Sequence, residues 1–268
     1  MRIHFSDWYE RPVNELSLPQ FAEHCHQFVQ KQTVSVTEMG RAFIGAITKY
    51  VNAIHGLNIV SPFHRLAAAG LMNEKLQPRK RQLQECDLPA WYKAVTSLPE
   101  KQRDALMLLA MTGLRRNEGL LLKRKQVDFE NRVFYIPDTK TGRPHSLPIT
   151  SMLHEILHRR CKSLEADEAL FAGVSGEHLA QMAERQGAPD FMLHDLRKLL
   201  ATVGERLQIS ESILRRILNH TSKRSDTLYR HYVSIEMSDI KVPLEQIQNA
   251  LLHLMAALFS DGDFKELP

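Results

Sequence analysis

The chain has 268 residues, enough for one large or two modest domains that each bury a core, and two domains is the expectation. A formal net charge of +4 is mild, so the sign matters only where it clusters. No apolar run approaches the roughly 18 residues of a membrane span, and the N-terminus lacks the charged-then-apolar pattern of a secretory signal. Cys25, Cys86 and Cys161 form no CxxC or Cys/His pair at metal-ligand spacing, which excludes a zinc motif and fits reduced thiols in an intracellular protein.

Residues 1–75 read as helical throughout, a small separate bundle. Ser17 is the expected N-cap of a first helix through Leu18, Phe21, Cys25, Phe28 and Val29, and Val36, Met39, Phe43, Ile47, Val51 and Ile54 make a second apolar stripe. Ser61 with Pro62 starts a third through Phe63, Leu66 and Leu71. The opening residues read as the edge of a domain, as if the chain were trimmed from something longer. Residues 76–84, with Pro78 and the consecutive bases Arg79, Lys80 and Arg81, have no apolar period and read as a basic linker that either tracks a DNA backbone or stays solvated.

A second domain is expected over residues 85–242. Leu88, Trp91, Tyr92, Val95 and Leu98 give one helix, and Pro99 opens the next, which Gly113 stops by taking a left-handed turn from which Arg115 departs. From Val127 the period shortens. Val133–Pro137 and His145–Ile149 are strand-like runs around the turn formers DTKTGRP, so Lys140 sits near a hairpin tip. Thr150 caps a helix through Leu153, Ile156, Leu157 and Cys161, and Ser175 caps another that ends at Gly187. The helix from Met192 puts His194 and Arg197 on one face, and Ser210 caps a helix whose end delivers Asn219 and His220. Tyr229 and Tyr232 follow. Pro243 breaks the chain before an amphipathic helix carrying Leu244, Ile247, Leu251, Leu254 and Leu258, and residues 243–268 form a C-terminal helix and tail.

The basic residues cluster where these segments meet. Between His194 and Tyr232 there are eight Arg or Lys against four Asp or Glu, and Arg115, Arg116, Lys123, Arg124 and Lys125 surround one acid, Glu118. A solvated helix face explains such an excess as well as a polyanion site does, until the chemistry is added. Breaking a phosphodiester without a metal needs a nucleophile, positive charge for the two non-bridging oxygens and an acid for the leaving oxygen. Arginine suits the oxygens because its charge is permanent and its donors are forked, and Arg115 and Arg197 are the candidates. A tyrosine, with a free pKa of about 10, attacks best beside positive charge or a base. His194 and His220 either supply that base or hold phosphate oxygens. A lysine on a hairpin tip reaches a leaving oxygen as a general acid, which fits Lys140.

In this order the segments resemble the tyrosine recombinase, or phage-type integrase, family. TGLRRNE (Thr112 to Glu118) resembles its first arginine box, TKTGR (Thr139 to Arg143) its hairpin lysine motif, HDLR (His194 to Arg197) its His-x-x-Arg box, and LNH (Leu218 to His220) its second histidine box. The resemblance implies Arg115, Lys140, His194, Arg197 and His220 as catalytic, with Glu118 as the supporting acid. It places the nucleophile nine residues after the second histidine, at Tyr229 rather than Tyr232. It implies a mainly α fold with a small β-sheet, in which a helical core-binding domain precedes the catalytic domain. It further implies a site-specific DNA recombinase with no metal or other cofactor, acting through a 3′-phosphotyrosine without ATP. The partners implied are double-stranded recombination sites, three further copies of the chain in a synaptic tetramer that is monomeric in free solution, and accessory DNA-bending proteins. A cytoplasmic, DNA-associated protein of a prokaryotic cell follows, with the C-terminal helix docked on a neighbouring subunit.

Each residue also has a duller reading. Arg197 could pair structurally with Asp195 or Glu118, the tyrosines could be core aromatics, and LRRILNH could be a recognition helix. Apart from that reading, Arg215 and Arg216 are expected to touch backbone phosphates, and Arg79, Lys80, Arg81, Arg116 and Lys123 are the other DNA-binding candidates. A type IB topoisomerase would use the same chemistry without strand exchange, and a non-catalytic DNA-binding regulator would need no tyrosine. A metal-dependent nuclease would need a compact Asp, Glu and His cluster that is not visible.

Overall fold

The computed structural model describes residues 4–72, 83–139, 142–220 and 235–257. Two compact units divide at Lys80 and Arg81.

In the first unit, α1 (Pro19–Lys31), α2 (Val34–His55) and α3 (Pro62–Ala68) pack with two short 3-10 turns, Ser6–Trp8 and Val13–Ser17. Helix α1 starts at Pro19, whose fixed φ suits the first helical position, and Ser17 instead turns its hydroxyl back to donate to Asn14 O at 2.9 Å. Phe21, Cys25, Phe28, Val29, Ile44, Val51 and Phe63 form the core. The face of α2 differs from the expected stripe. Thr37, Gly40, Ile44, Thr48 and Val51 are buried, whereas Met39 is 61% and Ile54 62% exposed. The buried seam is made of small and β-branched residues, which let helices approach closely, and Thr48 satisfies its hydroxyl on Gly45 O at 3.0 Å.

The second unit is built around α5 (Glu100–Thr112), every residue of which from Asp104 to Thr112 is buried. Against it lie α4 (Leu88–Thr96), α7 (Ser151–Cys161) and α9 (Leu193–Arg206), while α6 (Arg116–Leu120), α8 (His178–Arg185) and α10 (Glu211–Ile217) fill the periphery. Leu83, inside the expected linker, is a core residue here at 1% exposure. A three-stranded antiparallel sheet runs in the order β1 (Val127–Asp128), β2 (Val133–Ile136), β3 (His145–Pro148), with Phe134 opposite Leu147 and Ile136 opposite His145. Thr150 caps α7 and Ser210 caps α10, each accepting from the amide three residues on. Helix α8 opens at His178, one turn after Ser175. The mainly helical fold with a small sheet is the one the sequence led us to expect.

The last described helix, α11 (Met237–Ala256), corrects one expectation: Pro243 lies inside it rather than before it. Ile240, Leu244, Ile247, Leu251 and Met255 form one face that continues across the proline, and all are buried in this unit's own core. Burying that face offsets the roughly 3 kcal/mol a mid-helix proline costs. The apolar face is therefore occupied within its own chain, and residues 258–268, the rest of the expected docking tail, lie outside the described residues.

Candidate active site

The site begins where α5 ends. A helix leaves its last carbonyls without partners, and here side chains from three elements bond to carbonyls at and beside that end. Thr112 Oγ1 donates to Leu108 O at 2.6 Å, Gln248 Nε2 on α11 donates to Met111 O at 2.8 Å, and Arg197 Nη1 on α9 donates to Gly113 O at 2.6 Å. Gly113 has φ +62°, and a Cβ there would lie 2.8 Å from Leu218 Cδ2. Only glycine makes this turn without strain or displacement. Arg115 then stands at the head of α6, where Glu118 accepts from its amide at 3.0 Å and from its guanidinium at 2.8 Å. Glu118 is buried, so it fixes the direction in which Arg115 points.

Arg197 is 3% exposed and joins two turns. Besides Gly113 O, its other terminal nitrogen donates to Leu218 O at the end of α10, one residue before Asn219 and two before His220. Asp195 and Glu118, the acids a structural ion pair would have used, are taken by Lys198 at 3.0 Å and by Arg115 at 2.8 Å. Burial, then the charge of Arg115, lowers the Arg197 pKa to about 10, which still leaves it charged at neutral pH.

The end of α10 is closed by Leu218 N on Leu214 O at 2.9 Å and His220 N on Arg215 O at 2.9 Å, with Asn219 left-handed at φ +46°. Partial burial, then the neighbouring guanidinium charges of Arg197 and Arg115, holds the His220 imidazole below its ordinary value, and the same causes with Lys198 lower His194. Neutral imidazoles can accept a proton as well as donate one. Arg115, Arg116, Glu118, Lys123, Asp138 and His194 line a cleft of about 810 Å³.

The structure thus brings Arg115, Glu118, His194, Arg197 and His220 together. The residues expected to touch DNA are placed as follows. Arg116 lies across Gly176 with Nε on Asn117 Oδ1 at 3.2 Å, Lys123 faces Asp167 at 3.5 Å, and Arg215 faces Glu211 at 2.6 Å. Arg216 is half-buried and donates to Ser146 O at 3.0 Å and Ser146 Oγ at 3.2 Å. Lys140, Tyr229, Tyr232, Arg79, Lys80 and Arg81 lie outside the described residues. Among the described residues no three His, Cys, Asp or Glu side chains converge as metal ligands would.

Three site residues escaped the sequence reading: His145, Gln248 and, as a side chain with its own role, Asn219. His145 carried one usable signal, a polar residue at the position that alternates with Leu147 and so falls on the buried face of the strand. Gln248 carried the same kind of signal within an apolar helix face.

The model of the phage integrase family matches residues 81–255. The chain belongs to the phage integrase family. Among curated members it is 27% identical over 160 residues to the tyrosine recombinase XerA of Saccharolobus solfataricus, covering 59% of this chain and 51% of that one. It is 27% identical over 184 residues to the prophage integrase IntF of Escherichia coli K12, covering 64% of this chain and 39% of that one. The chain therefore spans about half the length, or less, of these curated relatives. The fold is similar to that of the Tn1549 transposon integrase, solved in complex with a circular intermediate DNA, with a TM-score of 0.61 over 92% of this chain and 90% of that one at 16% identity.

Proposed function

We propose that this family member is a site-specific DNA recombinase that cuts and rejoins strands through a covalent 3′-phosphotyrosine on Tyr229, with neither a metal nor ATP. The observation that carries the reading is Arg197, whose buried guanidinium ties the turn bearing Arg115 to the turn leading into His220. Phosphoryl transfer at such a site is a matter of positioning and charge.

The Tyr229 oxygen attacks the scissile phosphorus and its proton passes to a neutral histidine or to solvent. The new O–P bond forms as the bond to the 5′-oxygen breaks, and Lys140 supplies the proton that the departing oxygen takes up. Arg115 and Arg197 hold the non-bridging oxygens, with Glu118 fixing Arg115. A 5′-hydroxyl from a partner duplex then reverses the step, so bond energy is kept and no nucleotide is consumed. Two rounds, on two duplexes held by four copies of the chain, complete an exchange through a Holliday junction. The expected domains 1–75 and 85–242, with the basic linker 76–84 between them, would both contact the duplex. Accessory DNA-bending proteins and a cytoplasmic location belong to the same reading.

The test uses a pool of nicked duplexes randomised across the binding site, from which a covalent adduct of the chain is captured and sequenced. The adduct is expected in EDTA, to be kept by Tyr232→Phe and to be lost in Tyr229→Phe. An adduct formed by Tyr229→Phe, or a strict magnesium requirement, overturns the mechanism. Relaxation of plasmid supercoils by the lone chain without strand exchange would point to topoisomerase action instead.

A further inference from the structure

The stem of the β2–β3 hairpin is fastened to the end of α10 at three points. His145, 3% exposed at the start of β3, has Nε2 3.0 Å from Ile217 O and Nδ1 3.3 Å from Arg216 Nη1. A guanidinium only donates, so Nδ1 accepts and the ring proton sits on Nε2, where it is donated to the Ile217 carbonyl. Arg216 continues onto Ser146 O and Oγ, which spends its guanidinium on β3. Asn219 Nδ2 donates to Arg143 O at 3.3 Å, and Thr139 Oγ1 reaches the same carbonyl at 2.6 Å, closing the stem.

The contacts between the stem and α10 are not local. His145 and Ile217 are 72 residues apart, Asn219 and Arg143 76. The β2–β3 hairpin has strands of four residues and only the two-residue β1 paired beside it in the described sheet, so it has little rigidity of its own and its orientation depends on what it is fastened to. The stem residues Arg143–Ser146 begin three positions after Lys140 in the chain, and Ile217–Asn219 lead directly into His220.

We infer that His145, Arg216 and Asn219 are positioning residues, a clasp that fixes the hairpin carrying the leaving-group acid against the turn carrying His220. The inference rests on the proposed function, and it adds what that function leaves open: how a lysine on a small hairpin is brought to the reacting phosphate. None of the three touches substrate in this role. Arg216, expected to meet DNA phosphates, serves the protein's own strand.

The clasp acts through protonation of the leaving oxygen, which gives a test that a general loss of structure would not mimic. The full chain is assayed for adduct formation on two nicked duplexes of the captured sequence, one with the natural 5′-oxygen at the scissile phosphate and one with sulfur in its place. Sulfur leaves as a thiolate, taking the bonding electron pair without a proton, because a thiol has a pKa of about 8.5 and an alcohol a far higher one. His145→Leu removes both ring hydrogen bonds. Asn219→Gly removes the amide while keeping the left-handed backbone. His145→Gln keeps a donor for Ile217 O.

The expected result is a loss of cleavage of about 10-fold or more for His145→Leu and Asn219→Gly on the oxygen substrate, on the order of what misplacing a catalytic group costs. On the sulfur substrate the loss shrinks to less than about 3-fold, well inside the range a general acid spans. His145→Gln lies between His145→Leu and the unaltered chain. Equal losses on both substrates, or no loss on either, overturn the clasp while leaving the recombinase reading intact. If His145→Leu fails to fold, Asn219→Gly, at a half-buried position, decides the same question. No adduct from the unaltered chain on either substrate removes the proposed function itself, and the clasp with it.

Discussion

Acid should weaken the second unit through His145 by an amount that can be worked out in advance. Burial first, then the facing charges of Arg216 and Arg197, offset in part by Glu118, lower its pKa from 6.5 to about 4. The folded value lies below the unfolded one, so the unfolded chain binds the proton first. Stability is full above pH 6.5 and is lost as pH falls toward 4. Between pH 7 and pH 5 the unfolded state gains nearly one proton at this site that the folded state does not. At about 1.4 kcal/mol per pH unit, the loss is about 2 kcal/mol. Urea unfolding followed by the fluorescence of Trp91, wholly buried in this unit, reads the effect in a Trp8→Phe background. His145→Gln has no such group and should lose about 2 kcal/mol less than the unaltered chain over the same interval. His194 and His220 are present in both chains, so their contributions cancel. Equal acid losses in the two would refute a buried, neutral His145.

Two further outcomes follow from the packing. Gly113→Ala should cost about 1–3 kcal/mol in the same urea assay, because its φ is +62° and the new Cβ meets Leu218 Cδ2 at 2.8 Å. It should slow adduct formation more than it weakens duplex binding in a gel shift, since the strained turn aims Arg115. Ending the chain after Pro243 should abolish cooperative unfolding, because Leu244, Ile247, Leu251 and Met255, all buried, go with it. Their loss at about 1.5–3 kcal/mol each rivals the stability of a whole domain.

What could be read from the sequence was whatever is encoded locally. The end of α5 at Gly113, the caps Thr150 and Ser210 and the hairpin between two short strands all depend on neighbours within a few residues. The face of α2 was not readable. Apolar residues there occupy more than one side, and periodicity does not say which side meets α1 and α3. Pro243 misled because a local rule, that proline ends a helix, was overridden by a tertiary one, the unbroken buried face from Ile240 to Met255. The clasp lay furthest from reach. His145 reads as a polar residue on a strand until Ile217, 72 positions on, supplies the carbonyl it serves. Arg216 looked like a surface base for the same reason.

The electrostatics of Arg197 bear on what the site is for. Burying a guanidinium is costly, and the usual remedy is a carboxylate beside it. Here Asp195 is given to Lys198 and Glu118 to Arg115, and among the described residues the hydrogen-bond partners of Arg197 are the carbonyl dipoles of Gly113 and Leu218. Two guanidinium groups thus share the field of one buried carboxylate, and the charge of Arg115 disfavours that of Arg197. Among the described residues no second carboxylate offsets that excess. An anion entering between them would offset it, and the depressed pKa of Arg197 should then move back up, because the anion supplies the counter-charge that burial withheld. A structural arginine would have been paired by the fold. One held, among the described residues, by backbone carbonyls beside a second cation is what the proposed function asks for, since a phosphate would supply the missing counter-charge.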